Sequence, residues 1–368
     1  MSSFSQKLSF LIDVQISIFD RYHERLHSGL EAYLSLTSSV GRAVQGISRE
    51  EQANLQGVAG LDRLCRVFGS ADYLERAMRD WSDDVFFLEL WDELQDRARR
   101  RRSRNLAGPL SVADVAERTS SAVGSDDADA TGALFDETAG AYNRLRVRSE
   151  AIIADQLAYN VREALRAYRA INPWTTLSSS IPSAAIAGPT AAAPHSTTTI
   201  TAELEPLLAY LTSSLSFLHR ALARAPLRRI VRAACRAVEQ GLWDGILMRH
   251  SFSTAGAAQL AADLAAVGEV VDRWAGEGCA ASGLRKVREG VALLGLPVKG
   301  RGGGGGGDSS SGDEEGEGVQ RVLSLWEVEK RVFADNEQAR EVLEELGLEC
   351  LTEAEARSVL EKRVELGS

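Results

Sequence analysis

LEPLLAYLTSSLSFLHRAL, residues 204–222, sets Leu204, Leu208, Leu211, Leu215, Leu218 and Leu222 in alternating steps of four and three. That alternation lays one apolar seam along one face of a helix. The seam is too short for an independent coiled coil, so it predicts helix-on-helix packing inside a bundle. The same period continues outward. Leu227, Ile230, Val231, Ala234, Val238 and Leu242 form the next stripe after Pro226, and Ser253 stands as the cap of another carrying Leu260, Leu264, Val267 and Val271.

Upstream, Leu8, Leu11, Ile12, Phe19, Tyr22, Leu26, Leu30 and Tyr33 fall on one face at 100° per residue. Ser48 with Glu51 spells a capping box. Gly69 and Ser70 read as a break before a further helix at YLERAM. The run DDVFFLELWDEL (83–94) is apolar nearly all round in its first turns, which predicts a helix covered on several sides. Leu145, Ile152, Ile153, Leu157, Val161, Leu165 and Tyr168 trace one long helix ending before Pro173. Near the end, Val322, Leu325, Val332, Val342, Leu343 and Leu346 mark a helix or a pair, and Thr352 with Glu355 caps a last short one. Alternating β-branched runs with hairpin turns are missing. The expected fold is all-α, consecutive antiparallel helical bundles.

Composition divides the chain further. A first bundle segment spans 1–96, an Arg-rich polar insertion 97–131, and a long helix completing that bundle 132–174. A flexible linker covers 175–200, the second bundle 201–298, a Gly-rich acidic linker 299–318, and helices packing on the second bundle 319–368. With 42 basic and 52 acidic residues the formal charge is −10, a poor match to nucleic acid phosphates. Cys65, Cys235, Cys279 and Cys350 lack the close spacing of a zinc module and predict reduced thiols. No stretch reaches the roughly 18 uninterrupted apolar residues of a membrane span. The chain is expected to be soluble, with membrane contact indirect or weakly peripheral.

The sharpest chemical motif is HERLH at 23–27, which matches the H-E-x-x-H pattern of zinc hydrolases. Two imidazoles one helical turn apart with a carboxylate between them could hold zinc and take a proton from its water. The longer metzincin pattern fails, because Leu30 stands where its glycine belongs. His23, Glu24 and His27 therefore read as the polar flank of a packing helix, with Tyr22 and Leu26 in its seam. Arg97, Arg99, Arg100, Arg101, Arg102 and Arg104 read as a solvated run, or as a contact for anionic membrane or an acidic partner. The hexaglycine at 302–307 lacks the lysine of a phosphate loop. No catalytic constellation, cofactor site or small-molecule site can be assembled. The residues alone indicate a multi-bundle helical protein built for protein contacts.

Several long blocks do more than keep a helical period. FLIDVQISIFDRYHERL, GLDRLCRVFGSADYLERAMRDWSDDVFFLELWDEL, GALFDETAGAYNRLRVRSEAII, LWDGILMRHSFSTAGAAQLAADL and LTEAEARSVLEKRVE, taken in order, resemble the C-terminal half of the RINT/TIP family. The resemblance implies a helical-rod tether of the exocyst-like kind. It further implies a non-enzymatic subunit of a Dsl/NRZ-type complex on the endoplasmic reticulum. Such a subunit takes part in Golgi-to-ER retrograde vesicle transport, with ER SNAREs and other tether subunits as partners and no cofactor. Asp13, Gln15, Trp91, Phe135, Trp243, Phe252 and Gln259 carry the likeness and are expected to serve packing and turns rather than partner contact.

Overall fold

The computed structural model describes residues 4–38, 48–103, 133–177, 199–298 and 323–367. They form helices joined by short turns, and the pairing of Phe252 with Arg363 is an isolated bridge rather than a strand. The all-α expectation holds. Residues 104–132, 178–198 and 299–322, which contain most of the expected insertion and linkers, lie outside the described residues.

The chain divides into two compact units, Met1–Gln156 with Arg220–Pro226, and Leu157–His219 with Leu227–Ser368. In the first, α1 (Phe4–Ser9) passes through a π-helical segment, Phe10–Ile16, into α2 (Ser17–Thr37). Next come α3 (Arg49–Gln56), α4 (Val58–Ser82) and α5 (Val85–Ser103). The Ser48–Glu51 capping box forms as expected, each side chain bonding the other residue's backbone N–H. Leu11, Leu30, Leu61, Leu64, Phe68 and Met78 are buried, each worth roughly 2 kcal/mol of burial. The Tyr142 hydroxyl reaches in to donate to the Phe19 carbonyl at 2.7 Å.

Three expectations fail in this unit. Gly69 and Ser70 do not break the chain, since α4 runs straight through them; one glycine costs a helix only about 1 kcal/mol, which the packed face carries. The VFFLEL run is not covered on several sides but buries only one face. Leu90 and Leu94 are buried, whereas Val85 is 68% exposed and Phe86 and Leu88 are also exposed. The arginines from Arg97 to Arg102 belong to α5 rather than to an insertion. Arginine is a good helix former, and Arg100 has Asp96 one turn back at 3.9 Å.

The long helix α6 (Asp136–Tyr168) supplies residues to both units instead of only completing the first. In the second unit, α7 (Glu205–Ala221) buries Leu208, Leu211, Leu215 and Leu218 of the seam read from the sequence, and Leu207 beside it. After it come α8 (Arg224–Leu242), a second π-helical segment (Trp243–Leu247), α9 (Thr254–Ala275), α10 (Cys279–Gly283) and α11 (Arg285–Leu294). The break between α7 and α8 falls at Leu222 and Ala223, and Pro226 sits in the first turn of α8, where its missing N–H costs nothing. Ser253 caps α9 as expected, accepting from the Gly256 N–H.

The last helices are α12 (Leu325–Ala334), α13 (Asn336–Glu345) and α14 (Glu353–Leu360), the last opened by the expected Thr352–Glu355 box. They pack on the same unit: the Leu325 N–H donates to the Pro297 carbonyl, and Glu355 pairs with Lys286.

Buried polar groups pin the connections of this unit. Asp263, 1% exposed, accepts from the Tyr168 hydroxyl at 2.7 Å, the Thr201 N–H and hydroxyl, and the Gln259 amide. Gln259 also donates to the Thr199 carbonyl. Ser253 binds the carbonyls of Trp174 and Leu177. Glu289 accepts from the Cys350 N–H, and Arg363 donates to the Leu294 carbonyl at 2.6 Å.

Candidate partner-binding surface

The HERLH helix shows which of its faces is chemical. Phe19, His23, Leu26, Leu30 and Tyr33 step by four and three along the inward side, with Leu30 and Tyr33 fully buried. Tyr22, expected in the seam, is 41% exposed and donates its hydroxyl to Ser70 at the margin. Phe19, Leu26, Leu30 and Tyr33 keep the expected face; Tyr22 and His23 flank their stripe on opposite sides, and His23 is the flank that packs on Tyr142.

His23 is half-buried, its ring edge-on to Tyr142 at 5.3 Å, and burial holds its pKa below the ordinary imidazole value. His27 is exposed. Its Nε2 lies 3.3 Å from the Arg148 guanidinium and 3.7 Å from Glu31, whose carboxylate Arg148 also binds. A guanidinium thus occupies the space a metal would take at that nitrogen. Glu24 points to solvent. Among the described residues no group of three or more His, Cys, Asp or Glu could hold a metal ion.

The residues carrying the family likeness are scattered over both units. Asp13 and Gln15 sit in the first π-helical segment, where Asp13 accepts from the Ser9 hydroxyl. Trp91 is half-buried on α5, and Phe135 is buried against Trp81 and Phe87. Trp243 opens the second π-helical segment, with the Lys286 ammonium 4.5 Å above its ring. Gly290 leaves room for that indole, since a Cβ there would come within 2.8 Å of it. Phe252 is buried against Trp174 at 5.5 Å, and Gln259 belongs to the Asp263 network.

What the first unit does offer is apolar surface. Phe10, Val14 and Ile18 follow one another in steps of four along the exposed side of the first helices; Phe10 is 56% exposed. Lys7, nearly one turn before Phe10, lays its ammonium 5.0 Å over the Phe86 ring, and Val85 and Leu88 are exposed on the same helix as Phe86. Apolar groups gathered in this way mark a contact surface rather than ordinary scatter. Sequence reasoning missed this surface because it assigned VFFLEL to the interior. The signal available was the charge beside it: Asp83, Asp84 and Glu89 crowd a run that a bundle centre would exclude. Among the described residues no helix is long and apolar enough to cross a membrane.

Comparison with known proteins adds the following. The model of a family described as the RINT-1/TIP-1 family matches residues 1–363. No curated protein sequence matches the chain. A solved structure of the SNARE Sec20 bound to the Dsl1 complex subunit Tip20 is similar with a TM-score of 0.58 and 17% identity, over 98% of this chain and 48% of that one. The chain spans about half the length of that neighbour, and at this identity the likeness is one of fold.

Proposed function

The chain belongs to the RINT-1/TIP-1 family, and on that premise we propose that it is a non-enzymatic subunit of a vesicle-tethering complex. It acts on the cytoplasmic face of the endoplasmic reticulum, held there peripherally through partners, in Golgi-to-ER retrograde transport. Its partners are ER SNAREs and the other subunits of the tether. The family match over residues 1–363 carries this reading. Two observations support it. The similar solved chain was crystallised with a SNARE. The exposed apolar groups of the first unit, Phe10, Val14 and Ile18 on one stretch and Val85, Phe86 and Leu88 on another, have the chemistry to receive the apolar face of an amphipathic helix.

The work of such a protein is mechanical. Packed helices hold binding surfaces at fixed positions, and association is reversible because each surface is modest in size. The test is retention of an ER SNARE cytoplasmic region on the immobilised full chain. Retention that drops about tenfold in Val85→Asp/Phe86→Ser supports both the function and the surface. Retention unchanged in that variant moves the contact elsewhere, and retention of no ER SNARE at all overturns the function.

A further inference from the structure

A second surface lies in the other unit and has the opposite chemistry. Arg228, Val231 and Arg232 of α8 line one side of an open pocket of about 180 Å³. The opposite side is Glu277, Gly278, Cys279 and Ser282, at the turn between α9 and α10. That turn is built on Gly276 and Gly278, whose φ values of 97° and 79° suit glycine and keep the wall thin. Val231 is buried between the two arginines and forms an apolar floor.

Neither guanidinium is neutralised. Arg228 and Arg232 make no ion pair among the described residues, although the chain has ten more acids than bases. The Nε of Arg228 is sealed from solvent and meets no acceptor. The nearby acids are engaged elsewhere: Glu239 accepts from the backbone N–H groups of Lys286 and Val287, and Asp272 from that of Ala280. Glu277 stands exposed on the rim without pairing to either arginine. Two like charges one helical turn apart, both lining the open pocket and neither paired to an acid among the described residues, form an arrangement that an anion would complete.

We propose that this pocket binds a phosphate monoester through Arg228 and Arg232. A phosphoryl group offers three oxygens to two planar forks, where a carboxylate offers two, and the volume leaves room for the carbon that carries it. The ester comes either from a soluble phosphorylated metabolite or from a phosphorylated lipid headgroup, and the two share this recognition. Glu277 sets an upper limit on affinity by repelling the same charge.

The test uses the full chain. Inorganic phosphate and a soluble inositol polyphosphate are titrated by calorimetry. Flotation is measured with phosphatidylcholine vesicles with and without a phosphorylated phosphatidylinositol. Binding of the soluble probes, the vesicles or both is expected, and which of them binds identifies the source. Arg228→Gln or the more exposed Arg232→Gln should weaken binding about tenfold, with the helical circular dichroism unchanged. Glu277→Gln should tighten it, and Arg236→Gln, outside the pocket on the same helix, should leave it as it was. Absence of binding to every probe overturns the proposal. So does an equal loss in Arg236→Gln, or binding of a polyglutamate peptide where no phosphate probe binds.

Discussion

The two units are built from the same kind of helix and treat polar and apolar groups in opposite ways. The second unit draws polar side chains inward: Asp263, Glu289 and Arg363 are buried, and each ties down backbone or hydroxyl groups of a connection. The first keeps most of its ionic groups at helix surfaces, as in Arg148 with Glu31, and leaves Phe10, Val85, Phe86 and Leu88 in solvent. Among the described residues its one strongly buried ion-pair partner is Glu75, held by Arg146 at 2.7 Å. A bundle with long connections gains from polar groups that fix where the chain returns. A bundle that leaves apolar side chains outside has surface to give to another molecule.

The largest expected effect tests the buried side of this contrast. Arg363→Ala strands the Leu294 carbonyl and leaves Glu365 without its 3.0 Å partner. It should cost about 3 kcal/mol in urea unfolding, confined to the second unit's transition. A loss below about 1 kcal/mol would mean the buried arginine is not what closes that unit. Asp263→Ala comes next, at about 2 kcal/mol, because Tyr168, Thr201 and Gln259 lose a common acceptor. Hydrogen exchange should rise at Thr199 and Thr201 first.

Acid should reach both units by the same route. Burial lowers the pKa of His23 in the first and of His250 in the second. Around His23, the Ala141 backbone and Asp20 oppose the shift, whereas His27 and Arg144 reinforce it. The unfolded chain takes up protons near the ordinary value of 6.5 that the folded chain refuses. Stability is therefore full above that pH and falls as pH drops through it toward the lowered pKa. His23→Gln should flatten this dependence for the first unit alone, read from urea midpoints across pH.

The smallest effect tests the exposed side. Val85→Ser should change stability by no more than about 0.5 kcal/mol. A larger loss would show that this surface is structural and not offered to a partner.

Local signals were legible and distant ones were not. Ser48 with Glu51, Ser253, Thr352 with Glu355 and the leucine seam of α7 each act within one or two turns, so a few residues suffice to read them. Asp263 and Thr201 are far apart in sequence, and nothing beside either announces the other. Arg363 looks like any charge near a chain end until the Leu294 carbonyl is seen to need it. Tyr22 and His23 flank the same stripe, and which of them turns inward depends on Tyr142, which periodicity along one helix does not report. The place of Gln259 in the Asp263 network likewise required coordinates, since its partners Thr199 and Thr201 lie some sixty residues away in sequence.

Helix α9 and its cap grip the chain on both sides of residues 178–198, at Leu177 through Ser253 and at Thr199 and Thr201 through Gln259 and Asp263. The two grips are independent of how much polypeptide lies between them. Doubling that length should add only about 0.6 kcal/mol of closure cost. The position can therefore accept a reporter domain or an epitope between two fixed anchors, and evolution is free to lengthen or shorten it without disturbing the helices on either side.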